Sequence, residues 1–229
     1  MFKFRAEITK GEEIRYISHL DYAGLIERAF FRSKLPMAWS EGFNPRMKLA
    51  FASALAVGVT SDAEYMDFEL TKPLCQPEVF DRLRAQLPPG VHLLRLRSFT
   101  EKHKALMAEA ELARYELTVP LLGEAAAAEQ AVQAFNRADA CQYQRVTPKK
   151  TREIEVKQYM ARPVGCTVQE KMLVLTMEIR ITQSGSIKPG EILHLLQERF
   201  ALPVDEFQAS IVRRALLGKG KPLIELIEE

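Results

Sequence analysis

Two residues near the start of the chain, His19 and Arg15, have the side-chain types that proton transfer on RNA requires. His19 follows Ser18 at the predicted start of a helix, where the positive end of the helix dipole disfavours a charged imidazole. A neutral imidazole can accept the proton of a 2′-hydroxyl, and a nearby cation such as Arg15 can stabilise the resulting phosphorane. These residues fit a metal-independent RNA endonuclease with His19 as its base. The alternative, which we prefer, is that His19 caps the helix or packs locally, because most lone histidines have no catalytic role.

A second group of functional side chains surrounds a proline corner in the stretch EGFNPRMKLAF, residues 41–51. The residues that shape the corner are Gly42, Asn44 and Pro45. The residues that it presents are Phe43, Arg46 and Lys48, and the only tryptophan of the chain, Trp39, precedes it. Because aromatic rings stack on bases and cations bind phosphates, the corner is predicted to bind a ligand such as single-stranded RNA. A packing role for Phe43 is the alternative.

Further cations extend this pattern along the chain. Arg28 and Arg32 lie four residues apart on the polar face of the first predicted helix, and the stretch TPKKTR places three more in a predicted loop before a strand. The full set of candidate RNA-binding residues is Arg15, Arg28, Arg32, Trp39, Phe43, Arg46, Lys48, Lys149, Lys150 and Arg152. Each cluster alone is also typical of a solvated surface, so RNA binding requires the fold to bring the clusters together.

The other polar residues predict neither a metal site nor a cofactor. The three cysteines, Cys75, Cys141 and Cys166, are too far apart for a zinc knuckle or an iron–sulfur motif. The histidines His92, His103 and His194 have no ligand spacing. The carboxylates Glu64, Asp67 and Glu69 alternate along a predicted strand and are interpreted as solvent-facing charges.

Composition limits the class of protein. The 229 residues are 47% apolar and 27% charged, which is typical of a globular chain with a sizeable core. The net charge of +2 is too small to indicate a nucleic-acid partner, so any such case depends on local clusters. The N-terminal residues lack the apolar core of a secretory signal, and no apolar run approaches the ~18 residues that span a bilayer. With unpaired cysteines, this predicts a cytoplasmic protein without a membrane segment.

The order of predicted elements is β-α-β-β-α-β, and it occurs twice. FKFRAEIT, residues 2–9, alternates as a half-buried strand does, and Ser18 is a good N-cap for the helix that follows. We therefore predict an α+β fold of tandem ferredoxin-like halves with antiparallel sheets, one large mixed sheet being the alternative. The predicted domains are residues 1–99, a linker 100–111, residues 112–217 and a tail 218–229.

The motifs of the first half resemble a known family. RYISHLD (residues 15–21), GFNP (42–45), Lys48, FASAL (51–55) and Gly58 follow the pattern of small radical-SAM-associated proteins of unknown function. Arg46-Met47 and Ala56 stand where that pattern commonly has prolines. TPKKTREIEVKQY and SGSIKPGEIL match it more loosely in the second half.

This resemblance implies a companion of a radical SAM enzyme, encoded near an E/G-type ribonuclease and ribosomal proteins. The radical chemistry would belong to the partner, because the cluster-binding cysteines are missing here. We therefore expect a non-catalytic RNA-binding or adaptor protein in RNA modification, RNA processing or a ribosome-related setting. The alternatives are the endonuclease that uses His19 and a pure protein–protein scaffold, and the oligomeric state stays open.

Overall fold

The computed structural model describes residues 2–100, 103–148 and 150–227. Helices combine with mostly antiparallel strands, which confirms the predicted α+β class. The chain forms two compact units, one of residues 1–111 with 215–229 and the other of residues 112–214. Within the described ranges, no helix is both long and apolar enough to cross a membrane.

The first unit contains a sheet with β1 at its centre. Its elements in chain order are β1 (Phe2–Lys10), α1 (His19–Ser33), β2 (Leu49–Phe51), β3 (Val59–Leu70), α2 (Gln76–Arg84), β4 (Leu93–Phe99) and α3 (Leu106–Glu109). β1 pairs antiparallel with β3 on one side and with β4 on the other. β2 pairs antiparallel with the end of β3, where Leu49 lies opposite Phe68.

Helix α1 begins where its sequence predicts. The Ser18 side chain accepts a hydrogen bond from the Asp21 amide at 3.2 Å, which satisfies one of the free amides of the first turn. The helix ends at Ser33 because Lys34 adopts a left-handed conformation with φ of 53°. Its buried residues are Tyr22, Ile26, Ala29, Phe30 and Ser33. The ring of Phe30 lies 4.8 Å from that of Phe68 on β3, so this stripe packs the helix against the sheet.

The strand predicted from FKFRAEIT is present as β1, but its polar face is buried, so the prediction that only one face is buried is wrong. Arg5 is 0% exposed and Glu7 is 7% exposed, although the apolar face of the same strand already packs in the core. The polar face is covered by α3 and by a 3-10 turn at Leu223–Leu226, which follow much later in the chain. Alternation of side chains reveals the two faces of a strand, but it does not reveal a second layer of this kind.

The second unit has a sheet in the order β10-β5-β9-β8. Its elements in chain order are β5 (Leu112–Pro120), α4 (Ala125–Arg137), β6 (Gln142–Thr147), β7 (Lys150–Glu155), β8 (Gly165–Gln169), β9 (Met172–Arg180), α5 (Pro189–Phe200) and β10 (Ser210–Gly218). The last residues of β10 belong to the first unit and pair there with β11 (Lys221–Pro222). The segment after β10, interpreted from the sequence as a tail, is therefore a structured part of the first unit.

Strands β6 and β7 form a separate two-stranded hairpin. The sequence predicts one extended stretch broken at Pro148, with Lys150 and Arg152 in a loop. Both residues lie instead within β7, so the predicted loop is wrong. The Thr147 hydroxyl accepts a hydrogen bond from the Lys150 amide at 3.1 Å and donates one to the Lys150 carbonyl at 2.7 Å. These bonds stabilise the end of the hairpin, where Thr147 pairs with Lys150.

Candidate functional site

The proline corner is a closed loop between Trp39 and Met47, which form an antiparallel bridge. Ser40 closes the loop: its amide donates to the Arg46 carbonyl at 2.8 Å, and its hydroxyl accepts from the Arg46 amide at 2.9 Å. Gly42 has φ of 118°, a conformation that side chains strongly disfavour. Ser40 and Gly42 therefore both shape the corner; Gly42 is one of the residues predicted to do so, and Ser40 is not.

The corner presents aromatic rings to solvent. Phe43 is 104% exposed, which excludes the alternative in which it packs against the core. Trp39 is 42% exposed, and its ring lies 5.7 Å from that of Phe31, itself exposed on α1. Exposed aromatic rings next to cations provide surfaces on which bases can stack.

A groove with a volume of about 780 Å³ begins beside this corner. Its lining includes Arg46, Lys48 and strand β2, together with residues 103–107, of which the last two belong to α3. The apolar residues that line it are Met47, Leu49, Ala50, Phe51, Phe68, Phe99, Ala105, Leu106 and Met107. The groove thus combines an apolar surface with charged residues, in the size range of small-molecule sites.

The charges of the groove do not balance. Its two carboxylates are already paired, since Asp67 accepts hydrogen bonds from Arg5 and Glu69 lies 3.1 Å from the Lys48 amine. The cations Lys3, Arg46 and Lys104 also line it, and none of them makes an ion pair with another described residue. The groove therefore carries excess positive charge and favours an anionic ligand.

Asp67 connects the groove with a buried ionic network. The Arg5 guanidinium donates to Asp67 at 2.7 and 2.9 Å, to Glu109 at 2.6 Å and to the Leu223 carbonyl at 2.9 Å. Burial raises the pKa of Asp67, and the Arg5 charge opposes this shift without cancelling it. Burial acts to lower the pKa of Arg5, but the two carboxylates outweigh it and raise that pKa. The network holds a carboxylate of the groove wall in place through its hydrogen bonds to Arg5.

His19 and Arg15 have structural contacts in this fold. The His19 ring packs edge-on against Phe51, with ring centres 5.4 Å apart. The Arg15 guanidinium donates to the Gly58 carbonyl at 3.0 Å and to Glu12 at 2.9 Å, which ties the start of α1 to the loop before β3. These contacts agree with the preferred interpretation, in which His19 packs locally.

The remaining predicted cations are distributed over both units. Arg28 and Arg32 are exposed on α1, and Arg32 donates to the Gln86 carbonyl at 2.7 Å. Lys150 and Arg152 are exposed on β7 in the second unit, whereas Arg46 and Lys48 belong to the first. Lys149 lies outside the described residues.

The strand carboxylates are not solvent-facing, contrary to the prediction. Glu64 is 3% exposed, and Asp67 and Glu69 make the ion pairs described above. In the part of the chain that the structure describes, no group of three or more His, Cys, Asp or Glu residues could hold a metal ion.

Burial raises the pKa of the Cys141 and Cys166 thiols, which disfavours the reactive thiolate.

Lys3 and Lys104 line the groove, although neither is among the residues predicted from the sequence. Lys3 looks like an ordinary strand lysine, and Lys104 falls in the predicted linker. The two are about a hundred positions apart, so only the pairing of β1 with β3 and β4, and the path of the chain into α3, bring them to one groove. No local pattern could have signalled this.

Comparison with known proteins identifies the family. Residues 3–189 match DUF2344, whose description is an uncharacterised protein conserved in bacteria. The match covers most of the chain, including the proline corner, β2 and the hairpin. A search of curated proteins gives no match.

Proposed function

We propose that this chain, which belongs to the DUF2344 family, is a non-catalytic RNA-binding or adaptor protein that works with a radical SAM enzyme. The observation that carries the RNA part is the groove with unpaired Lys3, Arg46 and Lys104 beside the exposed rings of Trp39 and Phe43. Phosphates and bases are the two chemical groups that such a surface suits, and single-stranded RNA supplies both.

The setting of this activity is a separate part of the proposal. The resemblance of RYISHLD and GFNP to radical-SAM-associated proteins supports a radical SAM partner and a role in RNA modification, RNA processing or a ribosome-related step. The radical reaction would then take place on the partner, and this chain would hold the RNA. A cytoplasmic location follows from such a role.

We also infer that each unit is a ferredoxin-like fold. The first unit has the element order β-α-β-β-α-β, with β1 and β3 adjacent and β4 on the other side of β1. In the second unit β5 and β9 are adjacent, with β8 beside β9 and β10 beside β5, and the β6–β7 hairpin is an insertion. This common arrangement supports a tandem of two related folds.

RNA binding is tested by fluorescence anisotropy with labelled single-stranded and structured RNAs at about 50 and 200 mM salt. We expect affinity to fall with salt, because each phosphate contact contributes a log–log slope of roughly −0.7 for a single strand. The variant Arg46→Gln with Lys104→Gln should lower both the affinity and the slope.

Arg84→Gln is the matched control, because Arg84 is exposed on α2 and lines a different cavity. It should bind as the unaltered protein does. Failure of the unaltered protein to bind any of these RNAs at low salt would refute the RNA part of the proposal. Purification from cells with identification of the bound proteins tests the partner: recovery of a radical SAM enzyme without RNA would support a scaffold instead.

A further inference from the structure

Strand β2 lines the groove, and its outer edge carries hydrogen-bonding groups that do not pair with β3. The Lys48 carbonyl accepts from the Glu69 amide at 3.2 Å, and the Ala52 amide donates to the Tyr65 carbonyl at 3.0 Å. Since residues of an antiparallel strand face its neighbour alternately, Leu49 and Phe51 direct their amides and carbonyls away from β3. The Leu49 amide bonds locally to the Met47 carbonyl at 2.8 Å. Phe51 is thus the residue of β2 that presents an amide and a carbonyl together.

The position of Phe51 is well defined by its neighbours. Its ring is contacted by His19 with ring centres 5.4 Å apart and by Tyr22 at 6.0 Å, both from α1. Its backbone is held by the pairing of β2 with β3. A donor and an acceptor on a fixed strand edge, one beside the other, match the donor–acceptor pair on the edge of a nucleobase.

Three features therefore meet in one groove. The outward amide and carbonyl of Phe51 can bond the edge of a base, and apolar side chains such as Leu106 and Met107 can contact its faces. Lys3, Arg46 and Lys104 supply charge for a phosphate. The groove volume of about 780 Å³ is sufficient for a small ligand of this kind.

We infer that this groove is a nucleotide pocket, which takes one nucleoside phosphate unit with the base at the Phe51 backbone and the phosphate at the three cations. The inference rests on the proposed RNA binding and makes it specific, since it assigns one nucleotide of the RNA to this pocket. A purely electrostatic surface would bind RNA without reading any base.

An extended acidic peptide is the competing occupant, because strand edges also bind peptides. Such binding gains its affinity from a row of main-chain hydrogen bonds along the edge. β2 spans only Leu49–Phe51, and the outward amide of Leu49 is already bonded. A peptide would therefore find a complete donor–acceptor pair at Phe51 alone, whereas a base needs only one such pair.

The test is a titration of the isotope-labelled full-length chain by amide NMR with adenosine 5′-monophosphate, adenosine and inorganic phosphate. We expect the nucleotide to shift the Phe51 amide resonance, and to bind at least tenfold more tightly than adenosine or phosphate, about 1.4 kcal/mol. The variant Lys3→Gln with Lys104→Gln should reduce nucleotide affinity to that of adenosine. Arg84→Gln should leave it unchanged.

Each other outcome is decisive. Equal affinity for the nucleotide and inorganic phosphate, or shifts that leave Phe51 and its neighbours unperturbed, would overturn the nucleotide pocket. An acidic peptide of alternating Asp and Val that moves the same resonances at lower concentration would overturn it in favour of a peptide site.

A parallel titration with single-stranded RNA separates the two proposals. RNA binding that Lys3→Gln with Lys104→Gln does not weaken would overturn the pocket and support RNA binding elsewhere. Nucleotide binding without RNA binding would support the pocket and overturn the RNA proposal.

Discussion

Replacement of Arg5 by methionine should strongly destabilise the first unit. Arg5 is fully buried and bonds to two carboxylates and one carbonyl. Arg5→Met keeps much of the side-chain volume but leaves Asp67 and Glu109 without their cation. Removal of one partner from a buried ion pair costs about 3–5 kcal/mol, because the remaining charge stays desolvated. Since a domain has a free energy of unfolding of only about 5–15 kcal/mol, a large fraction of the stability should be lost.

Urea denaturation followed by tryptophan fluorescence measures this loss. Trp39 is the only tryptophan and lies in the first unit, so its emission reports the unit that contains Arg5. Arg84→Met makes the same substitution at an exposed arginine of this unit and should change the free energy of unfolding by less than about 0.5 kcal/mol.

The destabilisation should also depend on pH. Because burial raises the pKa of Asp67, the stability contributed by its protonated form is fully present below the unfolded pKa and is lost as pH rises through the folded pKa. Without Arg5 that pKa rises further, so Arg5→Met should be less destabilising near pH 5 than near pH 8. Asp67→Asn with Glu109→Gln in the Arg5→Met background should restore part of the stability at pH 8. A loss below about 1 kcal/mol for Arg5→Met at pH 8 would refute this account of the network.

The pKa of His194 should lie above its ordinary value, because Glu206 lies 2.7 Å away and stabilises the charged ring. The resulting stabilisation is present below the unfolded pKa of about 6.5 and is lost as pH rises through the folded value. An NMR titration in which Glu206→Gln leaves the pKa unchanged would contradict this. Gly218→Ala should destabilise the protein by about 1–3 kcal/mol, since a Cβ at that position would lie 2.1 Å from the Glu109 carbonyl oxygen. Thermal denaturation measures this loss. A transition temperature within about one degree of that of the unaltered protein would show that the backbone adjusts freely. His19→Ala should leave RNA affinity within about twofold, because His19 is not among the residues that line the groove and the Phe51 backbone stays held by the pairing of β2 with β3. If a preparation that cleaves RNA lost this activity on substitution, His19 would be catalytic after all.

Local features of the sequence predicted much of the secondary structure. The N-cap Ser18 gave the correct start of α1, and the alternation in FKFRAEIT gave strand β1. Both depend on interactions between residues within one element, which a sequence displays directly.

The errors concern interactions between distant residues. The polar side chains of β1 looked solvated because their cover, Glu109 and the Leu223 carbonyl, lies elsewhere in the chain. The candidate site was only partly predicted, because it too depends on contacts between distant residues. The corner is one continuous motif, whereas the pairing that places Lys3 and Lys104 in its groove arises only in the folded sheet.

The return of the C-terminal segment to the first unit has a consequence for biosynthesis. The second unit is continuous in sequence, but Arg5 bonds to the carbonyl of Leu223, which the ribosome makes only after the whole of the second unit. The first unit therefore cannot complete its folding until the second unit has been synthesised. Until then, the charged side chains of β1 are not fully covered. Vectorial synthesis then reverses the usual order, and the unit that is made first is the one that finishes folding last.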